Sequence, residues 1–195
     1  MRVLDTVSRR LNVCLLLAFC ILLLCFGQAR AEEARLTDIV VTNDEDYLLL
    51  YFSVTDCFTE EMKKAIDNGI NTTFTFFASV KAVRNLWWDR DIADLKVSHE
   101  ITYDSLKKVY TVNFSPKEER DGIPVKGFEE AKRAMSEIIG LKVTELKNLK
   151  RGDRYQISMM AELDKFRLPF YFHYIFFFLS LWDFETDWYT VDLRY

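Results

Sequence analysis

The chain has 195 residues, half of them hydrophobic, and carries 26 Lys and Arg against 30 Asp and Glu, a net charge of −4. That acidic balance excludes a partner held by electrostatic attraction to phosphate, so nucleic acid and anionic lipid headgroups are not expected. The length suits one globular domain of ordinary size with a short targeting segment.

The first 31 residues have the three parts of a secretory signal. Arg2, Arg9 and Arg10 give a basic start, residues 11–26 form an uncharged run broken only by Asn12, and Ala29-Arg30-Ala31 offers the small-x-small cleavage pattern. The basic end stays on the inner face of the membrane while the apolar run enters the bilayer. At 16 residues that run falls short of the roughly 20 that a stable spanning helix needs. Cleavage after Ala31 is expected, leaving residues 32–195 as a single exported domain. The alternative is an uncleaved anchor, with residues 11–26 in contact with the inner membrane. Phe19 and Leu24 precede Cys20 and Cys25 where a lipobox requires a small residue, which argues against lipidation. Without residues 1–31 the chain keeps 164 residues, 22 of them basic and 29 acidic, a net charge of −7. Only Cys57 remains among the cysteines, so no internal disulfide is possible, and it reads as a small buried hydrophobe.

Two-residue alternation dominates the rest. Residues 36–41 and 47–54 read as two strands joined by the acidic turn Asn43-Asp44-Glu45-Asp46. Residues 58–68 read as a helix capped by Thr59, with Glu60 and Glu61 in its first turn and Gly69 after its end. Phe58, Met62, Ala65 and Ile66 share one of its faces. A long strand is expected over 71–86, then strands over 95–103 and 109–114. A Pro-, Gly- and charge-rich loop follows over 115–126. Residues 128–139 read as a second helix, with Phe128, Ala131, Met135, Ile138 and Ile139 on one side. Residues 141–149 read as a connector, and strands follow over 155–163 and 188–195. Six or seven strands with hairpin-length links and two separate helices predict an α+β fold, mainly antiparallel β. The expected form is a twisted sheet or β-sandwich with two packed helices, one sheet face dry and the other wet.

Residues 168–182, LPFYFHYIFFFLSLW, carry no acidic or basic side chain except His173. The run is too short to span a membrane as a helix. It reads either as a core element or as an apolar surface for a partner, with Phe170, Tyr171 and Tyr174 as candidate contacts. Trp87 and Trp88, followed by Asp89 and Arg90, stand at the expected end of a strand. Adjacent strand residues point to opposite faces, so one Trp is expected to be exposed, and exposed Trp and Arg are favoured contact anchors.

Asp183, Glu185 and Asp187 stand two apart and would share one face of an extended segment, with Phe184, Thr186 and Trp188 pointing away. Such a row is a weak candidate for an acidic or cation-binding site. Trp188 and Arg194 occupy positions where a calcium loop requires Gly and Glu, and a row of like charges is more often a solvated edge. His99 and His173 each sit in an apolar pattern that suits a hydrogen-bonded core histidine. No H-x-x-x-H pair, G-x-S-x-G elbow, Gly-rich phosphate loop or C-x-x-C occurs. Ser180, His173 and Asp183 have the residue types of a hydrolase triad but lie too close in sequence for the way triads are built. No catalytic residue and no cofactor is implied.

The C-terminal block LPFYFHYIFFFLSLWDFETDWYTVDLRY, the Trp87-Trp88-Asp89 block and the turn-to-strand Arg151-Gly152-Asp153-Arg154-Tyr155 together resemble a bacterial family, domain of unknown function 4390 (DUF4390). The similarity runs from about residue 35 to the end. The resemblance implies an exported protein of Gram-negative bacteria in an envelope-signalling context. It carries over no catalytic residue, because the family has no established activity. The leading expectation is a non-enzymatic interaction module whose partner is an envelope or inner-membrane protein. The alternatives are a periplasmic hydrolase or metal-dependent enzyme built on Asp183, Glu185, Asp187 and His173, and a lipid- or glycan-binding β-sandwich.

Overall fold

The computed structural model describes residues 34–84, 87–116, 122–164 and 185–195. Strands β1 (Arg35–Asn43) and β2 (Tyr47–Thr55) form the first hairpin. Its turn is fixed by Asp44, whose carboxylate accepts the N–H of Asp46 at 2.8 Å and of Tyr47 at 2.6 Å. Helix α1 (Glu60–Asp67) follows, with the Thr59 hydroxyl accepting the Met62 N–H at 3.2 Å. Then come β3 (Thr72–Ala82), β4 (Arg90–Asp104) and β5 (Val109–Ser115), an antiparallel meander. The short β6 (Ile123–Val125) leads into helix α2 (Phe128–Ser136). Strand β7 (Glu137–Glu145) starts at the next residue, a 3-10 turn spans Leu146–Asn148, and β8 (Arg154–Leu163) and β9 (Tyr189–Arg194) complete the order.

The strands make two antiparallel sheets. One has the order β1-β2-β7, the other β6-β5-β4-β3-β8-β9. This is an α+β fold, mainly of antiparallel β, with its core between the sheets. Alternation places Leu48, Leu50, Phe52 and Val54 of β2 on one side of the core. Phe74, Phe76, Ala78 and Val80 of β3, with Tyr155, Ile157, Met159 and Ala161 of β8, form the other side. Phe52 meets Phe76 edge-to-face at 5.8 Å between ring centroids. The helices close one end of the core. Met62, Ala65 and Ile66 of α1 and Ala131 and Met135 of α2 are buried, and Phe58 bridges Phe74 at 4.9 Å and Phe128 at 5.7 Å.

Several expectations are corrected. The described residues hold nine strands rather than six or seven. Part of the expected loop over 115–126 is β6, whose Pro124 is accommodated because the strand lies at a sheet edge. The second helix stops at Ser136, and the expected connector is strand β7, paired with β2. Residues 137–145 can satisfy either periodicity, and pairing with β2 buries Ile138 and Val143 while leaving Ile139 exposed. Strand β3 ends at Ala82, not at 86, and β4 starts five residues earlier than expected, at Arg90. The outer face of the large sheet is not uniformly wet. Thr75 and Met160 on it are buried, and the Thr75 hydroxyl donates to the Asp164 carboxylate at 2.7 Å. Among the described residues no helix is long and apolar enough to cross a membrane. The expectations made for residues 1–31 and 168–182, with Phe170, Tyr171, His173, Tyr174 and Ser180, and for Asp183 and Phe184, lie outside the described residues.

Candidate functional site

Strands β3 and β4 pair until Ala82 meets Arg90, and the chain between them forms a connection that carries both tryptophans. It is fixed at its base by the Asp89 carboxylate, which accepts the Arg84 N–H at 3.0 Å, and by the Val83 N–H, which donates to the Arg154 carbonyl at 2.9 Å. Trp87 is 77 % exposed and Trp88 93 % exposed. Both rings therefore face solvent, not one, because the strand alternation that would have turned one inward has ended at Ala82. Arg84, Asp89 and Arg90 beside them are exposed as well. Two neighbouring Trp side chains each present an apolar body and an N–H donor, which suits a contact surface that is apolar at its centre and polar at its rim.

The acidic block is arranged differently. Glu185 forms an isolated antiparallel bridge with Glu162, and Thr186 is buried with its N–H donating to the Ala161 carbonyl at 2.9 Å and its hydroxyl accepting the Ala161 N–H at 3.0 Å. Glu185 and Asp187 flank Thr186 on the solvent side. Trp188, expected on the face opposite the carboxylates, is 54 % exposed and lies just ahead of β9, which begins at Tyr189. Among the described residues no three His, Cys, Asp or Glu side chains converge.

His99 lies in the core with its ring centroid 4.8 Å from Phe76 and 4.6 Å from Phe114. Its Nδ1 is 3.1 Å from the Met135 carbonyl. A carbonyl only accepts, so Nδ1 carries the hydrogen. Burial pushes the imidazole down to about 4, against the smaller opposing effect of the backbone contacts at Met135 and Ala134. Burial also pushes the Cys57 thiol up to about 12, which keeps it protonated and unreactive at neutral pH.

Sequence reasoning missed a polar chain that ties α1 to β5. The Tyr110 hydroxyl donates to Asp67, and Lys63 donates to the other Asp67 oxygen at 2.6 Å. Burial works to raise the Asp67 carboxyl, but the hydrogen bonds from Lys63 and Tyr110 outweigh it and hold the group below its ordinary value. Burial, then Asp67, push the Tyr110 phenol upward. Tyr110 also stacks with Tyr103 at 4.6 Å and Phe128 at 5.7 Å. A phenol held protonated and a carboxylate held ionised by it form a structural tie, the reverse of an activated nucleophile and base. Asp67 and Tyr110 are 43 residues apart, and no sequence pattern joins them.

No curated protein and no solved structure matches the chain. The profile of a domain of unknown function (DUF4390) does match it over residues 31–192, from ahead of β1 into β9, and the chain therefore belongs to that family.

Proposed function

We propose that this protein is an exported, non-enzymatic interaction module of the bacterial envelope, and that the connection carrying Trp87 and Trp88 is its contact surface for an envelope or inner-membrane protein. The observation that carries this reading is the exposure of two adjacent tryptophans on a backbone braced by Asp89 and by the Val83–Arg154 hydrogen bond. Trp is among the most effective contact residues per side chain, and leaving two in water is unfavourable unless something covers them. Arg84 and Arg90 beside the pair supply donors for a polar rim. The N-terminal basic, apolar and small-residue pattern supports export to the periplasm, and envelope signalling is the context proposed for the contact.

The test uses the full chain in its native envelope with Trp87→Ala and Trp88→Ala. Crosslinked partners are identified by mass spectrometry, and melting temperature is followed in parallel. The expected result is a partner that disappears from the crosslinks of both variants while melting is unchanged. Unchanged crosslinks, or unfolding of the size of a core Trp truncation, about 3–5 kcal/mol, would overturn the assignment.

A further inference from the structure

Among the described residues the two sheets have four outer edges, and three are blunted. In β1 the register slips between Thr37 and Val40, and Asp38 adopts a left-handed φ of 53°. In β7 the register slips twice against β2, and Gly140 has φ 68°. Strand β6 is three residues long and contains Pro124. Bulges, shortness and proline are the usual means by which a sheet edge is kept from pairing with another chain. Strand β9 has none of these. It pairs with β8 over six consecutive residues, from Tyr189 opposite Met159 to Arg194 opposite Arg154, without a register shift.

The main-chain groups on the far side of β9 can be assigned. Tyr195 donates its N–H to the Asp153 carbonyl at 3.3 Å and accepts the Gly152 N–H at 2.6 Å. By alternation, Leu193, Val191 and Tyr189 also direct their N–H and C=O toward β8, whereas Thr190, Asp192 and Arg194 direct theirs outward. Among the described residues no strand pairs with that outward row. Two large side chains, Trp188 at 54 % exposure and Tyr189 at 48 %, stand at its N-terminal end.

We propose that β9 is a pairing edge and that its occupant is β9 of a second copy of this chain, joined antiparallel across a two-fold axis at Val191. A two-fold pairing that continues the sheet must place inward-facing residues opposite inward-facing ones. The register centred on Val191 does so. It sets Tyr189 opposite Leu193 and Val191 opposite Val191 on the core side, and Thr190 opposite Asp192 on the outer side. Thr190 and Asp192 then exchange their outward main-chain hydrogen bonds, and one step further Arg194 falls opposite Trp188, a cation-over-ring pair. No like charges face each other. The neighbouring register, centred on Asp192, would oppose two carboxylates. The YTVDLR strand is thus complementary to itself in one register. Pairing over the seven residues from Trp188 to Arg194 is a small interface, so the dimer is expected to dissociate on dilution. This inference does not depend on the function proposed for Trp87 and Trp88.

The test is made on the full chain with Cys14, Cys20 and Cys25 replaced by Ala, the buried Cys57 retained, and Val191→Cys added. Facing residues of a pair without main-chain hydrogen bonds lie about 4.5 Å apart at Cα, within reach of a disulfide. Mild oxidation should give a covalent dimer, and Ser105→Cys, on an exposed turn away from β9, should not. Sedimentation of the uncrosslinked full chain should approach twice the 23.1 kDa chain mass at high concentration. Thr190→Pro, which removes an outward N–H, no main-chain bond to β8 and only the exposed hydroxyl contact with Ser158 at 3.0 Å, should return it to a monomer with little change in melting. The proposal fails if Val191→Cys links no faster than Ser105→Cys. It fails equally if the chain stays monomeric, or if Val191→Cys captures a different protein in place of its own copy.

Discussion

At the scale of single residues, His99 makes the fold sensitive to acid. Its ring is enclosed by Phe76, Phe114 and the Met135 carbonyl, and burial depresses it from an ordinary 6.5 to about 4. The unfolded chain therefore takes up a proton below pH 6.5 that the folded chain refuses until about pH 4. Stability present above 6.5 is lost as pH falls across this window, by about 3 kcal/mol at 1.36 kcal/mol per unit. The denaturant midpoint should fall between pH 7 and 4.5, and His99→Gln should lose much less over the same range. An equal slope in both proteins would show that other groups set the acid response. The inward direction of His99 was legible in the strand alternation of Leu95, Val97, His99 and Ile101. Its hydrogen-bond acceptor was not, because Met135 is 36 residues away on another element.

At the scale of elements, the junction of α2 and β7 leaves the chain no slack. The helix ends at Ser136 and the strand begins at Glu137, with no loop between them. Gly140 lies in the strand with φ 68°, and a Cβ built there would stand 3.3 Å from the Tyr51 hydroxyl. A side chain would meet both the backbone penalty of the left-handed region, about 1 kcal/mol or slightly more, and that contact. Gly140→Ala should lower unfolding stability by about 1–2 kcal/mol, measured by urea titration, and a neutral result would mean that β7 re-registers against β2. The helix itself was legible from Phe128, Ala131 and Met135. Its end was not, because Ile138, Ile139, Leu141 and Val143 fit both helical and strand spacing, and the partner that decides between them, β2, lies some 90 residues earlier. The Trp pair was legible as a contact candidate, but its full exposure depended on where β3 stops, and strand ends are weakly encoded.

At the scale of the molecule, Phe52 and Phe76 hold the two sheets face to face, and both are buried. Phe52→Ala should cost about 3–5 kcal/mol. It should do so in one cooperative transition seen alike by circular dichroism and fluorescence. Two separated transitions would mean that the sheets unfold independently. The alternation of the long strands β2, β3, β4 and β8 made an antiparallel fold with two helices legible, since period-two patterning reports which residues face inward. It does not report which strand is whose neighbour. The sorting of β7 to the small sheet and of β9 to the edge of the large one came only with the structure. Likewise, the acidic block was legible as solvent-facing at Glu185 and Asp187, whereas the bridge from Glu185 to Glu162 was not.

That bridge has a further consequence. It makes Glu162 and Glu185 cross-strand neighbours, about one strand spacing, ~4.8 Å, apart. Such a join is made by main chain and depends on no side-chain identity, so Glu185 can be exchanged freely, whereas Thr186, whose N–H is donated to the Ala161 carbonyl, cannot give way to proline without unfastening the entry into β9.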